Sequence, residues 1–195
     1  RCYAAMDEAR YPTVNKARWF NFNLLKTCRN TQQKTELIVG SIKETGLVRG
    51  GTLRVHIGGD YYNQSYFNAW MDAARFFPNV VFYSYTKSIH LLQRYLGDKG
   101  KLPKNFVFTC SRGGLFDHLI PSINIKSARV FFSKEEADAL GLDIDHTDDL
   151  AISSSDDFAL VLHGSQPAKS KASKALSELK KNGFAGYNKN RAIPA

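Results

Sequence analysis

The chain has only three cysteines in 195 residues: Cys2, Cys28 and Cys110. So sparse and odd a set excludes a disulfide framework and points to a reducing compartment. No apolar run is long enough to cross a bilayer, which excludes a transmembrane helix. The opening RCYAAMDEARYP lacks the apolar core of a secretory signal. It also lacks an initiator methionine, so the numbered chain is expected to be less than the whole gene product, with an incomplete N-terminus. CSRGG, 110–114, is not followed by Gly-Lys-Ser/Thr, so it is no P-loop, and HIGGD, 56–60, is not the dinucleotide fingerprint. No His-Cys or His-Ser pair stands at the spacing of a hydrolase triad. There is no internal repeat of fixed period.

Apolar residues make up 43% of the chain, enough for a sizeable core, and the net charge of +9 suits an anionic partner such as nucleic acid, nucleotide or phosphate. Periodicity predicts helices over 14–29, 32–45, 64–77 and 88–96. Thr31 is the expected N-cap of the second. Strands are predicted over 52–57, 80–86, 105–110, 128–133 and 157–164. Ser133 and Glu136 form a capping-box pattern before a short helix. The aromatic stripes Trp19, Phe20 and Phe22, Phe67 and Trp70, and Phe76 and Phe77 sit at helical spacing and read as core. Alternating strands and helices predict an α/β fold with a mainly parallel sheet, either a partial (β/α) barrel or an open doubly wound sheet. The α/β domain is expected over 1–165. A basic helix and tail, 166–195, follow, with the helix over 171–181 closed by Gly183.

Ligands of parallel α/β folds sit beyond the carboxyl ends of the strands. Those ends collect His56, Asp60, Thr86, Lys87, Cys110, Ser111, Arg112 and His163. Gly58 and Gly59 let a ligand approach backbone N–H and C=O groups closely. Lys87 and Arg112 offer positive charge to a carboxylate or phosphate. His56, Lys87, Cys110 and Arg112 are therefore candidate catalytic residues, and Gly58, Gly59, Asp60 and Thr86 a candidate ligand cradle. Tyr61 and Tyr62, in the adjoining loop, are placed to stack on a planar ligand.

Three segments, CYAAMDEARYPTVNKARWFN (2–21), RVHIGGDYYNQSYFNAW (54–70) and FYSYTKS (82–88), resemble the phage family named for gene product 88. The resemblance covers the first half of the chain. At a distance that family resembles the radical S-adenosylmethionine superfamily. The likeness implies a partial barrel, a [4Fe–4S] cluster held by thiolates and a turn that holds the methionyl amine of S-adenosylmethionine. Cys2 would be one cluster ligand, and Gly58, Gly59 and Asp60 would form the turn. Cys28 is too far along the chain to complete a compact triad with Cys2. The expected function is a radical S-adenosylmethionine-like enzyme acting on a nucleotide or nucleic acid. The alternative is a non-catalytic nucleic-acid or protein-binding module on the same scaffold. The family implies the cytoplasm of an infected host cell, with virion association the other location. The lysine-rich C-terminal segment is the expected contact with an anionic partner.

Overall fold

The computed structural model describes residues 3–164, 166 and 168–183. Three helices come first: α1 (Tyr3–Arg10), α2 (Pro12–Thr27) and α3 (Thr31–Glu44). Then strands and helices alternate: β1 (Gly51–Arg54), α4 (Gln64–Phe76), β2 (Val80–Thr86), α5 (Ile89–Lys99) and β3 (Phe106–Ser111). A 3-10 turn, Asp117–Ser122, replaces a helix before β4 (Ser127–Phe131). Two short helices, α6 (Lys134–Asp138) and α7 (Asp149–Ser153), lead to β5 (Phe158–Val161), and α8 (Lys171–Lys181) follows. No described helix is long and apolar enough to cross a membrane.

All five strands are parallel, and their order in the sheet is their order in the chain. The sheet curls into a half-barrel, which decides between the two architectures expected from the element order. The alternation of VVFYSYT explains the burial on both sides. Phe82 points outward and stacks on Phe106, which stacks on Phe108, which in turn stacks on Phe67 of α4. Tyr83 and Tyr85 point inward with Val107 and Phe158, and Leu150, Ala151 and Ile152 of α7 cover them. Phe67 and Phe82 are wholly buried, so truncating either to alanine costs about 3–5 kcal/mol.

α7 is pinned to the inner face at both ends. The Asp145 carboxylate accepts from Thr147 N at 2.9 Å and from Ala151 N at 3.0 Å. Lys126 Nζ donates to Leu150 O at 2.8 Å and Ser154 O at 2.6 Å, adding a second bond to the Leu150 carbonyl, which already accepts from Ser154 N, and holding the chain just beyond the helix. Burial lowers the Lys126 pKa, and Asp145 opposes that shift.

Four local expectations are corrected. β1 stops at Arg54 because His56 has φ 65°, a left-handed conformation that leaves the pleat. Asn30, not Thr31, caps α3, with its side chain accepting from Gln33 N at 2.9 Å. The outer side of α2 is not core: none of its residues is buried, and Phe20 is 67% exposed. Phe76, at the end of α4, is exposed as well. The expected capping box at α6 forms in part: Ser133 accepts from Glu136 N, but the Glu136 carboxylate accepts from Phe132 N, one residue before the N-cap.

Candidate functional site

The Gly-Gly-Asp turn sits between the end of β1 and α4, at the carboxyl end of the sheet. Asp60 is its organising residue. One carboxylate oxygen accepts from Tyr61 N at 2.8 Å and Thr86 Oγ1 at 2.7 Å. The other accepts from Lys87 N at 2.7 Å and Ser88 N at 3.2 Å. The turn after β1 is thereby tied to the turn after β2 and to the start of α5. Ser88 Oγ adds a bond to Tyr61 O at 2.8 Å.

Arg18 of α2 lies against this turn. A Cβ built at Gly58 would stand 2.5 Å from Arg18 Nη2, so a side chain there would force the guanidinium from the place it holds over the turn. Arg18 Nη1 donates to Ala4 O at 2.8 Å and to Glu8 at 3.2 Å. The start of α1, two residues after Cys2 in the sequence, is thus bridged to the turn. Cys2 itself lies outside the described residues. Gly59 differs from Gly58: it has φ +88°, and a Cβ there would meet nothing within 4 Å. Its side of the turn is open.

His56 is held among aromatic rings. Nε2 lies 2.9 Å from Tyr66 Oη, and Tyr61, Tyr66 and Trp70 surround the imidazole. Nδ1 is buried without a hydrogen-bond partner. Burial pushes the His56 pKa down to about 4, with Asp60 pulling weakly the other way. The ring is therefore neutral at neutral pH. Tyr61 is buried in the core and Tyr62 stacks on Tyr66, so only Tyr62 keeps a partly exposed face.

The other candidates go to different places. Thr86 is buried beneath the turn as a partner of Asp60. Lys87 Nζ donates to Arg112 O at 2.7 Å and lies across Gly113 and Gly114, whose N–H groups donate to Asp117. Cys110 is fully buried on the outer face, and burial drives its thiol up to about 12, followed by a smaller push from Asp157. Arg112 turns toward β4, donating from Nε to Ser127 Oγ at 2.8 Å and facing Asp157 at 3.5 Å. Beside it, Arg129, Leu140, Leu142 and Phe158 help to line an open hollow of about 200 Å³. His56, Asp60, Thr86 and Lys87 are thus gathered around one turn, whereas Cys110 and Arg112 are directed elsewhere.

A second polar cluster, on the inner face, was not anticipated. The Asp148 carboxylate accepts from Arg54 Nη1 at 2.7 Å, Tyr85 Oη at 2.9 Å and Tyr83 Oη at 3.1 Å. Burial, then the charge of Asp148, raises the Tyr83 pKa to about 12 and shifts Tyr85 upward as well. Burial lowers the pKa of His163, just beyond β5, with the Val161 carbonyl opposing that shift and Arg54 and Asp148 adding smaller, opposite effects. The alternation of FYSYT could have placed Tyr83 and Tyr85 on one face, but nothing local marks Asp148 as their acceptor.

No curated protein and no solved structure matches this chain. A family model described as Gene product 88 matches residues 1–179, most of the chain. The match extends the likeness seen in the first half of the sequence well beyond β5, and it carries nothing about iron or S-adenosylmethionine. On that coverage the chain belongs to the gene product 88 family.

Proposed function

We propose that this half-barrel is the binding scaffold of an S-adenosylmethionine-dependent enzyme, with the methionyl end of the ligand at the turn of residues 57–60. The supporting observation is Arg18. It joins the α1 end of the Cys-Tyr-Ala segment to Gly58, bringing together the two segments that the superfamily likeness requires to meet.

The turn fits the methionyl group. Gly59 faces open space, and backbone carbonyls of such a turn accept hydrogen bonds from an ammonium. Asp60 acts through the turn, because its two oxygens are already engaged by four donors. His56 is a neutral, desolvated wall beside the turn. The [4Fe–4S] cluster does not fit the described residues. No three His, Cys, Asp or Glu side chains converge among them, Cys110 is sealed in the core and Cys28 closes α2.

Calorimetric titration of the full chain with S-adenosylmethionine tests the reading. Binding that Gly59→Val abolishes is the expected result, with melting lowered moderately because valine is strained at φ +88°, and Gly59→Asn, which tolerates that φ, separates the strain from the filled cradle. Saturable binding that survives Gly59→Val would place the ligand elsewhere, and absent binding would end the proposal. Anaerobic iron and sulfide analysis of the complete gene product tests the cluster separately. The competing reading, a non-catalytic binding module, draws on α7, which occupies the inner face of the sheet.

A further inference from the structure

α2 has sixteen residues and none is buried. Its outer side carries Phe20, Trp19, which is 52% exposed, and Leu24, which is 38% exposed. Phe20 and Leu24 are one turn apart, so they share a face. From Ala9 to Thr35 the chain has six Lys or Arg residues and no Asp or Glu. Among these, Lys16 and Lys26 are exposed at the two ends of the aromatic face.

This face continues into the candidate site. Trp19 meets Phe22 edge-on at 5.8 Å, Phe22 meets Tyr62 at 5.2 Å, and Tyr62 stacks on Tyr66 at 4.8 Å. Tyr66 in turn bonds His56. Ile57, in the turn itself, is 71% exposed.

We propose that the outer face of α2 and the adjoining turn are a docking surface for single-stranded nucleic acid. Bases stack on Trp19 and Phe20, and phosphates lie against Lys16 and Lys26. Exposed aromatic rings interleaved with cations are what an unpaired strand needs, because every base has a π face and every linkage a charge. A second copy of this chain laid face to face suits the surface poorly, since Lys16 and Lys26 would be brought against the same cations of the other copy. An anionic bilayer would attract the same cations. However, exposed Asn23 and Thr27 fall between the Trp19 and Phe20 rows of the helix, so the face lacks the continuous apolar stripe that an interfacial helix buries in a bilayer. The surface is independent of the cofactor reading, because oligonucleotide binding and S-adenosylmethionine binding are measured separately.

The test is fluorescence anisotropy of a labelled oligothymidylate with the full chain across a salt series. Phe20→Ala and Trp19→Ala should each weaken binding about tenfold. Phe20 is two-thirds in water, so its variant should leave melting nearly unchanged, whereas Trp19, half-buried against Phe22, should lower it slightly. Each phosphate contact contributes roughly 0.7 to the salt slope on a single strand, so Lys16→Ala with Lys26→Ala should flatten it by about 1.4. Phe76→Ala, an exposed aromatic beside Lys43 at the opposite end of the barrel, should change nothing. The inference is overturned by absent oligonucleotide binding, or by equal losses from Phe76→Ala and Phe20→Ala. It is equally overturned by binding to phosphatidylserine vesicles in place of the oligonucleotide, or by self-association that Phe20→Ala removes while oligonucleotide binding persists.

Discussion

Replacing Asp60 by asparagine separates two roles for this carboxylate. Its oxygens accept four hydrogen bonds, from Tyr61 N, Thr86 Oγ1, Lys87 N and Ser88 N. Asparagine keeps one acceptor oxygen and puts an NH2 donor against the remaining donors. Turned toward Thr86, the NH2 donates to the hydroxyl, which can accept, and only the bond from Tyr61 N is lost; turned the other way, Lys87 N and Ser88 N both lose their acceptor. The first orientation is the cheaper, and at the ~1.5–3 kcal/mol that a bond to a charged group contributes it costs about 2 kcal/mol. For a chain of this length each kcal/mol lowers the melting temperature by roughly 2–4 °C, so a fall of about 4–8 °C is expected by calorimetry. Thr86→Val removes two bonds, the one donated to Asp60 and the one accepted from Ser88 N, and should cost about 2–3 kcal/mol. The double variant should fall short of the sum, because both changes act on the same oxygens. If Asp60→Asn melts with the parent protein, the carboxylate does not build the turn and the reasoning fails. Loss of S-adenosylmethionine binding in that unshifted variant would instead make Asp60 a direct ligand contact.

Three further outcomes can be checked. The His56 pKa is about 4 in the folded state against 6.5 unfolded, so the unfolded chain takes up the proton first as pH falls. The stability this residue contributes is present above about pH 6.5 and lost toward pH 4, by up to about 3 kcal/mol. Urea titrations of His56→Asn, which keeps a residue tolerant of positive φ, should show a shallower acid loss than the parent; parallel curves would refute it. Cys110 should resist alkylation in the native protein and react on unfolding, by peptide mass mapping, and native labelling would show that the outer face is open. Tyr85→Phe should cost about 1 kcal/mol, and Asp148→Ala more, about 2–4 kcal/mol, because Arg54 is left facing two hydroxyls without its carboxylate. Equal costs would mean that the cluster is not centred on Asp148.

The parallel half-barrel was legible because its cues are local and repeated: short β-branched or aromatic runs, each followed by an amphipathic stretch. The ends of elements were less legible. His56 continues a strand pattern by composition, yet its positive φ ends the ladder. In α2 the apolar spacing correctly indicated a helix but could not tell whether anything covers its outer face. The turn at Gly58–Asp60 was found by residue type, whereas Arg18, which fills the space over Gly58, lies forty residues earlier in a helix with no local sign of that contact. α7 was missed because DLAIS is too short to show a period. Its hold on the sheet depends on Lys126 and Asp145, both far from it in pattern if not in space.

The sequential order of the five strands bears on how the protein is made. Each new strand pairs with the one completed just before it, so the sheet can grow outward as the chain leaves the ribosome, without waiting for distant segments. The inner face is the exception. Tyr83 and Tyr85 are synthesised more than sixty residues before Asp148 and α7, and until those arrive the concave side is wet and sticky. That interval is when a nascent chain is open to aggregation or to capture by a chaperone. Destabilising the plug through Lys126 should therefore lower the yield of soluble protein more than it lowers the stability of the chains that finish folding.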